Sequence, residues 1–230
     1  MSLADFLYTV AIPVALATVM LGMGLSLTLE DLKRVVIYPK AVGTGLLGQL
    51  ILLPLLAFVL ATMLAPNPAI AAGAIMLAAC PGGVTSNAYT FAARADVALS
   101  VTLTAIESII TIFTIPLFAY LALSVYFDQA TAPDVPAVGM IRQLAIITAI
   151  PITCGMVFRA FQPAMAARLV EMLRKVTVYV LVFLIVMAAF ASWEDVVDNF
   201  VEAGFLVLAL NLLSMAMGYG LARATDLPVK

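Results

Sequence analysis

The sequence predicts an all-α polytopic membrane protein, and three observations carry that expectation. The 230 residues are 65 % hydrophobic and only 10 % charged, far more apolar than a soluble domain, whose apolar share is roughly one half. Seven stretches approach the roughly 20 apolar residues that a helix needs to cross the hydrocarbon layer. One of them is interrupted at mid-depth by a proline, two glycines and small polar residues, Cys80-Pro81-Gly82-Gly83-Val84-Thr85-Ser86-Asn87. The expected spans are 6–27, 41–64, 69–93 (broken at 80–87), 97–125, 137–158, 176–192 and 203–222. No cleavable leader is expected, because residues 1–5 lack a basic region and the first apolar run is too long.

The first span runs from Phe6 into Gly22-Met23-Gly24-Leu25. Residues 29–34 read as a short interfacial helix, with Thr28 as its cap and Asp31 as the reciprocal partner. In the second span Gly43, Gly45 and Gly48 form a small-residue patch that lets another helix approach closely. Gln49 follows it, a polar amide in an apolar run, either an interhelical hydrogen bond or part of a site. Pro66-Asn67-Pro68 is a tight turn, after which the broken span begins. The fourth span carries Ser100, Thr104, Glu107 and Thr111 at steps of four, three and four, so one helical face holds all four polar side chains. A loop at 126–136 separates two halves. Pro151 predicts a kink in the fifth span, 159–175 reads as an amphipathic connection, and Trp193 is placed at an interface. The last span holds Asn211 in an apolar setting.

Basic residues fix the orientation. Lys33, Arg34, Lys40, Arg94, Arg159, Arg168, Arg174, Lys175, Arg223 and Lys230 fall in alternate connections, and Arg142 alone of the 11 falls on the other side. The positive-inside rule places the amino terminus outside and the carboxyl terminus inside. Asp5, Asp128, Asp134, Glu194, Asp195, Asp198 and Glu202 mark the outer face. No basic cluster interleaved with aromatics points to nucleic acid, and no obligate protein partner is evident. With no histidine and no CxxC pair, zinc and haem ligand sets are lacking. Cys80 and Cys154 read as small buried packing residues.

The interruption is the chemical centre. Lipid cannot hydrogen-bond exposed main chain, so a break at this depth persists only where protein or a water-filled cavity receives its N–H and C=O groups. Half-helices meeting there offer an N-terminus to an anion and unwound carbonyls to a cation. Glu107 is the one carboxylate well inside a span, and its burial as an anion is costly. It reads either as a functional acid or as a protonated group sharing hydrogen bonds with nearby hydroxyls. Gln49 precedes Pro66 by the same 17 residues by which Asn211 precedes Pro228, as inverted repeats with paired broken helices would require.

Cys80-Pro81-Gly82-Gly83…Ser86-Asn87, Ala93-Arg94 and Val97-Ala98-Leu99-Ser100 together resemble the signature of the bile acid:sodium symporter family. Gly22-Met23-Gly24-Leu25, Pro39-Lys40-Ala41, Gln49…Leu53-Pro54 and Pro151-Ile152…Gly155 extend the resemblance. It implies an inverted-repeat transporter fold with panel and core domains, residues 1–125 forming the first repeat, 126–136 a linker and 137–230 an incomplete second repeat. It also implies a bacterial plasma-membrane protein that couples sodium ions to uptake of a small organic anion. By resemblance, Ser86, Asn87, Ser100 and Thr104 are sodium ligands at one site and Gln49 at another, with Glu107 a further candidate. Gly83, Val84, Thr85, Asn87 and Asn211 are the candidate substrate contacts. Two departures stand out: Glu107 replaces a small or hydroxyl residue, and Val84 stands where a hydroxyl is expected. The second broken helix is expected beyond Lys230.

Two other functions are open to the sequence. A cation/proton antiporter of similar architecture would work through Glu107. An intramembrane enzyme would need a nucleophile with a base, and neither Cys80 nor Ser86 has an evident one, so no enzyme is expected.

Overall fold

The computed structural model describes residues 7–28, 36–127, 136–191 and 193–227, with the backbone alone at 7, 8, 84, 85, 88, 137, 174–178, 180, 181, 184, 188, 191, 195 and 196. The interfacial helix expected at 29–34 with its Thr28–Asp31 capping pair, most of the 126–136 linker, and Pro228 lie outside the described residues. So do Asp5, Lys33, Arg34, Asp128, Asp134 and Lys230.

The described residues form ten α-helices and contain no strand. They are α1 (Ile12–Ser26), α2 (Pro39–Leu47), α3 (Leu53–Leu64), α4 (Pro68–Ala79) and α5 (Val84–Ala92), then α6 (Val97–Tyr126), α7 (Ala137–Leu144), α8 (Ile150–Phe161), α9 (Pro163–Ala191) and α10 (Trp193–Ala224). Among the described residues five stretches are long and apolar enough to span a bilayer, Thr9–Ser26, Pro39–Leu64, Val97–Tyr126, Val138–Phe161 and Val197–Ala224. The protein is a polytopic helical membrane protein.

Three π-helical turns, Leu7–Ala11, Gly48–Leu52 and Ala145–Ala149, each run directly into a proline at the second position of the next helix: Pro13, Pro54 and Pro151. Proline lacks an N–H and its ring collides with the carbonyl four residues back, and a widened turn moves that carbonyl aside. The irregularity expected at Pro151 takes this form. Elsewhere proline starts helices: Pro68 follows Asn67, whose side chain accepts the Ile70 N–H at 2.9 Å and caps α4.

One expectation for the second half is corrected. Residues 163–175 are not a separate connection. Gln162 alone interrupts the chain, and Pro163, suited to a first helical position, opens a helix that continues to Ala191. Trp193 opens the next helix, which runs to Ala224. Glu194 lies in the first turn of α10, where the helix dipole favours negative charge, and Trp193 stacks on Phe190 with centroids 6.0 Å apart.

The chain divides into two compact units, each drawn from separated segments: Met1–Glu30 with Arg142–Asn199, and Asp31–Ile141 with Phe200–Lys230. In the first, α1 and α8 cross at backbone contact. A Cβ on Gly155 would lie 2.6 Å from the Leu25 nitrogen and 2.7 Å from the Leu21 carbonyl oxygen, and one on Gly24 would run into the Ile152 carbonyl. One turn beyond, Arg159 Nη1 donates to the Leu25 carbonyl at 2.8 Å, satisfying an acceptor that the end of α1 leaves unpaired. Cys154 is exposed, against expectation, because Ile152 and Gly155 take the face toward α1 and the cysteine lies off that face.

The second unit is built on alanine. Ala57, Leu60 and Ala61 of α3 meet Ala71, Ala74, Ile75 and Ala78 of α4, with Ala122 of α6 and Leu206 and Leu210 of α10 completing the cluster. Small residues at helical spacing allow close packing where lipid supplies no hydrophobic drive. The glycine patch of α2 is only partly used: a Cβ on Gly45 would be 2.7 Å from Leu103, one on Gly48 would be 3.2 Å from Leu221, and Gly43 has nothing within 4 Å.

Candidate functional site

The break is real, and it is shorter than expected. Cys80 through Gly83 are non-helical, and α5 already begins at Val84, so Ser86 and Asn87 belong to its first turn. Pro81 explains the beginning: the residue before a proline is driven out of the α region, and Cys80 has ψ 145°. Gly83, extended at ψ 166°, explains the end, because its carbonyl accepts both the Ser86 N–H at 2.9 Å and the Ser86 hydroxyl at 2.7 Å, closing the first turn of α5 there. Cys80, expected to be buried, is exposed.

Other elements receive the freed main chain. From the π-turn between α2 and α3, Gln49 Nε2 donates to the Cys80 carbonyl at 3.4 Å. From α6, Glu107 Oε2 accepts the Gly82 N–H at 3.1 Å. Both sides of the break are thus held by the two polar side chains that stand out in the neighbouring spans.

At its far end α5 turns directly into α6. The Ala95 N–H bonds to the Thr90 carbonyl and the Arg94 N–H to that of Phe91, both at 3.0 Å, a Schellman closure that places Arg94 in the left-handed region at φ 54°. Asp96 then caps α6 by accepting the Leu99 N–H at 2.9 Å. This short return lays α5 against the start of α6, and Ser100 donates to Asn87 Oδ1 at 2.6 Å.

The predicted stripe on α6 faces inward. Thr104, Glu107 and Thr111 are 3 %, 5 % and 2 % exposed, with Ser100 partly buried above them. Gly82 is the point on which they converge with α5: from the position of a Cβ there, Glu107 Oε2 is 3.2 Å away, Thr104 Oγ1 3.7 Å and Ser86 Oγ 3.9 Å. Ser86, Asn87, Ser100, Thr104 and Glu107 are therefore brought together, with Gln49 on the opposite side of the break. Asn211 is not joined to them. Its side chain is exposed on α10, and no hydrogen bond links it to the break among the described residues. The Val84 and Thr85 side chains lie outside the described residues, while their N–H groups open α5.

Sequence reasoning missed two contributors. Thr90 donates to the Ser86 carbonyl at 2.8 Å and so braces α5; its position four residues after Ser86 was the available signal. Gly82 was read as a helix breaker, whereas its lack of a side chain also leaves open the space that the oxygens line.

Chemically the arrangement is a cluster of neutral oxygens and one carboxylate, the donor set of a hard cation, beside amide N–H groups that suit an anion. Residues 13–199 match the model of the Sodium Bile acid symporter family. The chain is 32 % identical over 208 residues to an uncharacterized sodium-dependent transporter, YocS, of Bacillus subtilis, covering 90 % of this chain and 62 % of that protein. It is 29 % identical over 228 residues to a probable chloroplastic sodium/metabolite cotransporter, BASS2, of Oryza sativa subsp. japonica, covering 98 % and 52 %. With the human hepatic sodium/bile acid cotransporter it shares 29 % identity over 160 residues, covering 69 % and 45 %. The chain thus spans roughly half the length of these relatives, which are transporters and not enzymes. On the match over residues 13–199, the chain belongs to the sodium bile acid symporter family.

Proposed function

We propose that the protein is a sodium-coupled secondary transporter that imports a small organic anion by alternating access, in the plasma membrane of a bacterium. The observation that carries this reading is the convergence of Ser86, Asn87, Ser100 and Thr104 where the third span is broken. On it, these four residues hold one sodium ion, and Gln49, already bonded to the Cys80 carbonyl, serves a second. The substrate's negative group meets the N–H groups of Val84 and Thr85 after Gly83, with Asn87 as a further polar contact. The two compact units act as panel and core, within inverted repeats at 1–125 and 137–230, with the amino terminus outside and the carboxyl terminus inside. Ion and substrate favour the same state of the break, so each raises the other's affinity by one common factor.

The test is uptake into proteoliposomes under an inward sodium gradient, with a potassium gradient as reference and labelled conjugated bile acid and short 2-keto acid as probes. Accumulation is expected with sodium only, for at least one anion, and Asn87→Ala is expected to abolish it. Equal uptake in potassium, or cation release driven by a proton gradient without any organic solute, would refute the reading.

A further inference from the structure

Glu107 is a buried acid at the break. It is 5 % exposed, Gly82 N–H is its hydrogen-bond donor at 3.1 Å, and no lysine or arginine pairs with it among the described residues. The hydroxyls around it leave little to offer as donors. Ser86 donates to the Gly83 carbonyl, Thr104 to the Ser100 carbonyl and Ser100 to Asn87 Oδ1. Their protons are committed, so lone pairs face the space over Gly82, where Glu107 Oε2, Thr104 Oγ1 and Ser86 Oγ approach a common point within 3.2 to 3.9 Å. In its ionised form Glu107 makes this a buried set of acceptors with the Gly82 N–H against it, short of positive charge.

We propose that Glu107 is a direct ligand and the formal counter-charge of a monovalent cation seated over Gly82. Glu107 then adds one negative charge to the neutral oxygens that α5 and α6 bring to the break. One carboxylate neutralises one monovalent charge, which matches an alkali cation. The proposal relies on the sodium-coupled reading for the identity of the ion, and it goes beyond that reading in making a carboxylate of α6 the charge that holds it.

The experiment is equilibrium binding of radioactive sodium, at one fixed pH, to the chain in lipid nanodiscs, comparing wild type, Glu107→Gln and Glu107→Asp. Glutamine keeps an acceptor for the Gly82 N–H, and melting curves report whether each variant is folded. Half-saturating sodium should rise about tenfold or more in Glu107→Gln, the loss expected for a charge-assisted contact, and by less in Glu107→Asp. Unchanged half-saturation in folded Glu107→Gln overturns the proposal. A measurement on wild type guards against misfolding of the variants: sodium-minus-potassium infrared difference spectra should show a shifted carboxylate stretch, and a flat spectrum in that region also overturns it. The two readings fail separately. Sodium-driven uptake surviving with unaltered sodium dependence in Glu107→Gln removes this proposal and leaves the transporter standing. Glu107-dependent sodium binding without driven uptake of any anion does the reverse.

Discussion

Gly155→Leu should leave almost no monodisperse protein. The α1–α8 crossing has no room for a side chain at this position: the first added carbon already meets the Leu25 nitrogen at 2.6 Å and the Leu21 carbonyl oxygen at 2.7 Å. These are backbone atoms and cannot swing away, so the helices must separate. Separation would also break the 2.8 Å bond from Arg159 to the Leu25 carbonyl, a charge-assisted contact of about 1.5–3 kcal/mol. Gly155→Ala is expected to fold with a lowered melting temperature, since overpacking costs about 1–3 kcal/mol. Gly204→Ala, where nothing lies within 4 Å, is the control and should melt like wild type or higher. Size-exclusion profiles recorded after heating decide it, and a wild-type profile for Gly155→Leu would mean that the helices do not meet as described.

Gly82→Val should abolish sodium-dependent uptake with little loss of folded protein. No glycine in the described residues has a positive φ, so the backbone at Gly82 accepts a side chain without conformational strain. The valine methyls would instead fill the space bordered by Glu107 Oε2, Thr104 Oγ1 and Ser86 Oγ, at 3.2, 3.7 and 3.9 Å from its Cβ. The effect therefore separates site from scaffold. Gly73→Ala, in the half-helix before the break and with open space around it, should leave uptake intact. Normal sodium dependence in Gly82→Val would place the ion elsewhere.

The helical membrane class and the break were legible in the sequence because both rest on local chemistry. Apolar runs of spanning length admit few other readings, and Pro81-Gly82-Gly83 stops a helix wherever it occurs. The inward stripe of Thr104, Glu107 and Thr111 was legible for the same reason, since helical periodicity alone puts those residues on one face. The exact start of α5 was not, because it depends on Ser86 bonding back to Gly83 rather than on propensity. Nor was the partnership of Leu25 with Arg159, which are 134 residues apart; nothing in the chain pairs Gly24 with Ile152 before the helices are packed. The cysteines were misjudged because a small apolar side chain is often buried, yet the face it occupies is set by its neighbours. Gln49 and Glu107 were singled out as polar residues in apolar spans, and the structure gives each a definite partner at the break.

The account depends on the uncoiled main chain at 80–83 being held open for an ion. Hydrogen–deuterium exchange of the segment spanning residues 79–94, followed by mass spectrometry in sodium and in potassium at equal ionic strength, tests this most directly. Sodium should slow exchange of the Gly82, Gly83 and Val84 amides, while α3 and the second half of α6 exchange alike in both salts. Identical exchange of the 79–94 segment in the two salts would contradict it.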